Sequence, residues 1–173
     1  MIRIVRPECF ESNSSSMHTI AFSPHFLQGD LTVDLKCELL YIPFGEFGWE
    51  FKVYNDSLTK LQYALTMVAE TEQYSTEDEF YKTDGFKMCN EMVKRLIPGC
   101  EGIKITSKFF TEGDYNPYIT FDGYIDHQST EGYTSLQDFL DDYGVTLEDF
   151  VFNTKVRLET GNDNYYIDDS YHW

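Results

Sequence analysis

Residues 56–69 read DSLTKLQYALTMVA, and this stretch decides the fold because apolar side chains recur in it with the period of an α-helix. The apolar residues spaced three and four apart are Leu58, Leu61, Leu65 and Val68. Asp56 or Ser57 can cap the first turn by accepting a hydrogen bond from a backbone N–H. We therefore expect a helix from this cap to about Ala69.

The chain before this helix has the composition of β-strands. Residues 39–54, LLYIPFGEFGWEFKVY, combine aromatic side chains with two glycines and a proline, which favours strands joined by a tight turn. Residues 2–5 and 17–22 are also strand-like, and the segment ESNSSS at 11–16 separates them. We expect a strand, a Ser-rich loop and a second strand in this N-terminal region.

The chain after the helix predicts a second helical stretch and two strands. The helical stretch opens at Ser75–Asp78, is interrupted near Gly85 and ends at Pro98-Gly99. β-Branched and aromatic residues predict strands over 103–107 and 118–125, which we expect to pair with each other.

Short helices are expected in the last third, because Ser135 and Thr146 each begin an N-terminal cap signature. No internal repeat or long linker is visible, so we expect one acidic domain over residues 1–173. The predicted fold class is α+β, with a mainly antiparallel sheet, two central helices and short C-terminal helices.

The charge of the chain is strongly negative and unevenly distributed. Thirty Asp and Glu against thirteen Lys and Arg give a formal net charge of −17, and residues 111–173 supply −12 of it. Such a chain repels the phosphate backbone, so we expect no direct DNA binding and a partner with basic surfaces. The alternative is that the acidity forms a solvated face and only confers solubility.

Cysteine spacing and hydropathy bear on compartment and metal content. Cys9, Cys37, Cys89 and Cys100 are scattered, without the short spacing of a zinc site, and we expect a reducing cytoplasm. No apolar run is long enough to span a membrane, so no membrane association is expected.

Nucleotide-binding and hydrolase signatures are missing, and we expect no cofactor and no metal. A divalent ion held by carboxylates from distant loops stays an alternative.

The first candidate site is the polar segment between the two N-terminal strands. It places a carboxylate, an amide, hydroxyls and an imidazole close together: Glu11, Asn13, Ser14, Ser15, Ser16 and His18. Hydroxyls and backbone N–H groups of such a loop can bind an anion, and a histidine can transfer protons near neutral pH. The alternative is that the serines and the asparagine only satisfy the loop's own backbone.

The second candidate site is the polar end of the strand predicted over 118–125, which carries Asp126, His127 and Ser129. Asp126 and His127 are adjacent, which by itself does not orient the imidazole, because neighbouring strand side chains point to opposite faces. If His18 and His127 converged, they could serve as general acid and base in phosphodiester cleavage by an RNA 2′-hydroxyl. Glu11 or Asp126 would then act as a supporting carboxylate.

The segment from Phe10 to His18 resembles one found in small proteins from phages and prophages of Gram-positive bacteria, which open with F-E-[ST]-N-S-S-S-x-H. The segments 124–129, 152–153 and 160–164 are also similar to this group, whereas residues 30–115 add little. Some such phage proteins are anti-CRISPR inhibitors of type II RNA-guided nucleases. The resemblance implies that this chain is a phage-encoded anti-defence protein whose partner is a type II CRISPR effector nuclease with its guide RNA.

Three functions therefore remain open at the level of sequence. The first is inhibition of an RNA-guided nuclease through its basic nucleic-acid-handling surface. The second is a small metal-independent ribonuclease-like enzyme that acts on guide RNA. The third is a phage accessory protein without catalytic activity.

Overall fold

The computed structural model describes residues 2–5, 16–22, 39–48, 51–115 and 117–162. The strands within these ranges are β1 Ile2–Val5, β2 Ser16–Phe22, β3 Leu40–Ile42, β4 Glu46–Phe47, β5 Lys52–Tyr54, β6 Ile103–Ile105, β7 Phe109–Glu112, β8 Tyr118–Phe121, β9 Tyr124–Ile125 and β10 Val156–Asn162. The helices are α1 Ser57–Thr71, α2 Glu77–Phe80, α3 Asp84–Leu96, α4 His127–Thr130, α5 Leu136–Asp142 and α6 Leu147–Phe152.

The strands form one larger sheet and three pairs. The larger sheet has the order β1-β2-β10-β5 and is antiparallel throughout. The hairpin β7–β8 is also antiparallel, whereas β3–β6 and β4–β9 are parallel pairs. The α+β class is confirmed, and the antiparallel arrangement holds for the larger sheet and the hairpin. That one domain extends over residues 1–173 stays a prediction.

Helix α1 confirms the expectation from residues 56–69. The side chain of Asp56 accepts a hydrogen bond from the backbone N–H of Thr59 at 2.8 Å, and the helix continues to Thr71. Its middle is buried, with Tyr63 fully inaccessible to solvent, whereas Leu58 in the first turn is 45% exposed. The apolar period therefore identifies the buried face of the helix. It does not show that the first turn, with Leu58, is left exposed by the rest of the protein.

The second helical stretch is divided into α2 and α3, and each is capped by the threonine that precedes it. The side chain of Thr76 accepts from Glu79 N, and that of Thr83 accepts from Phe86 N. Gly85 does not break the stretch, because it lies in the first turn of α3. The break comes just before Thr83, at the end of α2.

The expected pairing of strands 103–107 and 118–125 is wrong. Strand β6 pairs with β3, while the second predicted strand is divided into β8, which pairs with β7, and β9, which pairs with β4. Strand β7 lies between the two predicted strands in sequence and reaches β8 through one short turn. A partner so near in sequence forms a hairpin with little loop-closure entropy, which favours it over β6.

Helix α1 is the central element of the core and packs against α3, α5, α6 and β9. The core contains fully or almost fully buried rings: Tyr63 of α1 itself, Phe80, Phe139 and Phe150. The predicted short C-terminal helices are confirmed, with Ser135 capping α5 and Thr146 capping α6. These two helices lie on α1 and expose their acidic side chains.

Candidate functional site

Strand β2 and helix α4 lie beside each other, and this junction brings together the segments that carry both candidate sites. Strand β2 contains Ser16 and His18, and α4 begins at His127. In the register of the sheet, His18 lies opposite Thr160 of β10. The side chains of His18 and His127 lie outside what the structure describes, so the convergence of the two imidazoles stays a prediction.

Asp126 connects strand β9 to helix α4. Its backbone N–H donates to the carbonyl of Phe47 at 3.1 Å, which continues the β4–β9 pairing by one residue. Its carboxylate accepts from the hydroxyl of Tyr124 at 3.4 Å, and its carbonyl accepts from the N–H of Ser129 at 2.8 Å. Asp126 is therefore fixed at the start of α4, immediately before His127.

Two buried hydroxyl groups at this junction have no hydrogen-bond partner among the described residues. They are Oγ of Ser129, which is 5% exposed as a residue, and Oγ1 of Thr160, which is 1% exposed. A buried hydroxyl without a partner is energetically unfavourable, and a functional role or a bound water or ion can account for it. Ser129 belongs to the predicted site, while Thr160 was not singled out as a site residue.

Glu70 is a further acidic group near this junction that the sequence did not indicate. Its Oε1 accepts from the backbone N–H of Ile125 at 3.4 Å. The residue as a whole is exposed, yet burial of its carboxyl end raises the pKa of that group, and the hydrogen bond from Ile125 opposes the rise. A glutamate near the end of an amphipathic helix is normally solvated. The partial burial of the Glu70 carboxyl group becomes visible only from the packing of β9 against α1.

Four residues of the predicted anion-binding loop lie outside the described residues: Glu11, Asn13, Ser14 and Ser15. Ser16 lies at the first position of β2, opposite Asn162. The structure thus brings together the backbone of β2, Asp126, α4 and β10, and the roles of these residues in catalysis or anion binding stay predictions. Within the described part of the chain, no three His, Cys, Asp or Glu residues group as metal ligands.

A separate acidic surface is formed by α5 and α6, here called the acidic helix pair. Its exposed carboxylates are Asp138, Asp141, Asp142, Glu148 and Asp149. Arg95 pairs with Glu148 at 2.8 Å and is the one cation found on this surface among the described residues. The other carboxylates accept from neutral donors, such as the amide of Gln137 on Asp141 and the hydroxyl of Tyr133 on Asp142, both at 2.7 Å. Neutral donors orient these groups without cancelling their charge.

A polar groove of about 600 Å³ lies between the start of α3 and the start of α5. Its walls include Glu72, Asp84, Lys82, Thr134 and Gln137. The carboxylate of Glu72 already accepts from the backbone N–H of Gly85 at 3.0 Å through each oxygen. The backbone N–H of Gly85 at the start of α3, which borders this groove, is therefore already occupied by the chain's own glutamate.

No helix in the described part of the chain combines the length and apolar character that crossing a membrane requires. No protein-family model matches the chain, and neither a curated protein nor a solved structure matches it.

Proposed function

We propose that this chain is an anti-defence protein that binds a basic nucleic-acid-handling protein, and that the acidic helix pair is its main contact surface. The resemblance of the N-terminal segment selects the partner, a type II RNA-guided nuclease with or without its guide RNA in the bacterial cytoplasm. The observation that carries the proposal is the group of exposed carboxylates on α5 and α6, of which one is paired with a cation.

The physical basis is competition for positive charge. An RNA-guided nuclease holds its nucleic acids in channels lined by Lys and Arg, and a folded polyanion can occupy such a channel or block its entrance. Hydrogen bonds from Thr134 and Ser135 lower the pKa of Asp138, because they stabilise the ionised carboxylate. Side chains held by local donors lose less entropy on binding than free ones.

The test mixes the protein with purified type II effectors, each with and without guide RNA, and measures complex formation and cleavage of target DNA. We expect a complex that weakens as salt rises, because the attraction is electrostatic, and a loss of DNA cleavage. If no effector is bound or inhibited, the proposal is wrong, and the acidity serves solubility alone.

Matched variants locate the contact. The test variant carries Asp138→Asn, Asp141→Asn and Asp142→Asn, which keep the shape of each side chain and one acceptor oxygen while removing three charges. The control removes three exposed charges elsewhere, through Asp78→Asn, Glu79→Gln and Glu101→Gln. Both variants have the same net charge, so weaker binding of the test variant alone assigns the contact to α5. Equal weakening would show that only total charge matters.

A second candidate function is cleavage of the guide RNA, and the position of α4 beside β2 favours it. In this candidate, His18 and His127 act as general acid and base across the junction, and Asp126 or Glu11 supports one imidazole. The hydroxyl of Ser129 would then face the substrate.

This candidate is tested by incubating guide RNA with the protein in the presence of a metal chelator and following RNA length. Cleavage should disappear in both His18→Ala and His127→Ala and persist in His25→Ala, which changes a histidine that the mechanism does not use. Intact RNA together with lost DNA cleavage supports blockade of the effector instead.

A further inference from the structure

The β7–β8 hairpin exposes aromatic rings that a monomeric protein would ordinarily bury. Phe110 is 45% exposed, Tyr118 is 58% exposed, and Tyr115 in the turn is fully exposed. Large exposed apolar side chains that lie close together mark interaction surfaces, and aromatic residues dominate the centres of protein interfaces. The hairpin is therefore a candidate docking element.

The base of the hairpin is fixed in the core. Phe109 and Phe121 lie opposite each other, and their rings pack on Phe44 with centroids 5.6 and 4.8 Å away. Because side chains alternate along a strand, anchoring Phe109 inward directs Phe110 to the opposite face. The exposed face is thus held in place before any partner arrives, which lowers the entropy lost on binding.

The exposed face presents a ring and a carboxylate side by side. Tyr118 lies opposite Glu112 in the register, and its hydroxyl donates to Oε2 of Glu112 at 2.9 Å. Phe110 is two residues before Glu112 in the same strand and shares this face. The three residues together offer two π-faces and one negative charge.

A second place in the same chain, where a tyrosine ring also lies beside a carboxylate, shows that such a pair can bind a cation. At another site, Nζ of Lys104 lies 4.9 Å above the ring of Tyr81 and 3.5 Å from a carboxylate oxygen of Glu77. A tyrosine ring with a neighbouring carboxylate therefore already holds a cation within this fold. On the hairpin, none of the described Lys and Arg residues pairs with Glu112.

Charge decides which occupant fits the hairpin. Residues 108–122 contain Lys108 against Glu112, Asp114 and Asp122, and the whole chain has a net charge of −17. A second copy of the chain and a nucleic-acid backbone are both repelled, whereas a cationic protein segment is attracted. Arginine fits better than lysine, because the planar guanidinium stacks on aromatic rings and donates two parallel hydrogen bonds to a carboxylate.

We propose that the outer face of the β7–β8 hairpin, formed by Phe110, Glu112 and Tyr118, receives an arginine side chain from a basic partner protein. This inference deepens the proposed function, on which it rests for the class of partner. It assigns a second contact, distinct from the acidic helix pair. This contact selects arginine by the planar shape of the guanidinium group as well as by its charge.

The test titrates the full-length protein with an arginine homopeptide and a lysine homopeptide of equal length. Both peptides carry the same charge, so the ratio of their dissociation constants removes the general electrostatic attraction. We expect the arginine peptide to bind more tightly, and Tyr118→Ala to reduce that preference about two- to fivefold, the effect expected for an exposed cation–π contact. Backbone amide signals of residues 109–121 should shift with the arginine peptide.

Tyr41→Ala is the matched control, because Tyr41 is 59% exposed and lies on β3, which pairs with β6 and not with the hairpin. The arginine preference should survive in this variant, and circular dichroism should show that both variants are folded. An unchanged preference in Tyr118→Ala, or equal binding of both peptides to the unmodified protein, overturns the inference. If the arginine preference is absent but the effector complex forms, the proposed function stands without the hairpin contact. If the arginine preference is present but no effector complex forms, the hairpin contact is supported and the proposed function is contradicted.

Discussion

The helical centre formed by α1, α2 and α3 and the β7–β8 hairpin use aromatic side chains in opposite ways. Phe80 at the end of α2 is fully buried, and its ring packs on Phe44 and Tyr74 with centroids 5.5 and 5.3 Å away. Tyr118 of the hairpin is 58% exposed. The same class of side chain thus contributes stability where neighbours cover it and a recognition surface where they do not.

The largest effect that would sharpen this comparison is expected for Phe80→Ala. This change removes a fully buried ring that also contacts Phe109, at a centroid distance of 5.3 Å, and leaves a cavity where the centre meets the hairpin base. We expect the free energy of unfolding to fall by about 3–5 kcal/mol. Denaturant unfolding measures it, and a loss below about 1 kcal/mol would show that the centre and the hairpin do not differ as described.

Lys60 of α1 gives the next effect, because this charged side chain is completely buried. Its ammonium donates to the carbonyls of Asn153 and Val156 at 3.0 and 2.9 Å. Lys60→Met leaves both carbonyls without this donor, and we expect a loss of about 2 kcal/mol at pH 7. Denaturant unfolding of the two proteins measures the difference.

The stability that Lys60 provides should also depend on pH. Burial lowers the pKa of Lys60 from its ordinary value of 10.5 to about 8, and the attraction of Asp56 opposes this shift. Below pH 8 both the folded and unfolded states carry the proton, so folding bears the full penalty of a buried charge. Between about pH 8 and 10.5 the unfolded state holds the proton and the folded state has lost it, so stability rises with pH.

The difference in stability between unmodified protein and Lys60→Met should therefore increase by up to about 1.4 kcal/mol per pH unit in this window. Taking the difference removes the titration of other groups that both proteins share. A difference that stays constant from pH 7 to pH 10 would mean that Lys60 keeps its ordinary pKa.

A smaller effect is expected for Gly85→Ala in the first turn of α3. Alanine ordinarily stabilises a helix by about 0.5–1 kcal/mol relative to glycine. Here the added Cβ would overlap the carboxylate of Glu72 and a methyl group of Val68. We expect a net loss of about 1–2 kcal/mol by thermal or denaturant unfolding. Increased stability would show that α1 and α3 can separate at this contact.

The smallest effect is expected for Phe110→Ala on the exposed face of the hairpin. Its ring is 45% exposed, so the free energy of unfolding should change by less than about 0.5 kcal/mol. The same denaturant series used for Phe80→Ala measures it. A loss comparable to that of Phe80→Ala would remove the distinction between the two regions and with it the reason to regard the hairpin as a docking element.

Elements with a strong local signal could be predicted from the sequence. The cap at Asp56 and the period that follows it predict α1, and the threonines and serines before α2, α5 and α6 predict their starts. These signals are local, because a capping side chain bonds to a backbone N–H two or three residues away. Strand pairing is not local, and β7, which the sequence did not predict, takes the place expected for β6.

The candidate site shows the same division. Asp126, His127 and Ser129 were predicted from a polar cluster at a strand end, and the structure places Asp126 between β9 and α4 and the other two within α4. That α4 lies beside β2, that Thr160 lies opposite His18, and that Glu70 bonds to Ile125 could not be predicted. Each of these contacts joins segments far apart in sequence, and no spacing rule connects them.

The sequence by itself determined the acidity, its concentration in residues 111–173, the α+β class and the positions of the main helix caps, because these depend on composition and on neighbours within a few residues. Only the tertiary structure decided which rings are covered and that Lys60 is buried. The reason is physical: burial and pKa depend on the groups that packing brings close, and packing joins distant segments of the chain.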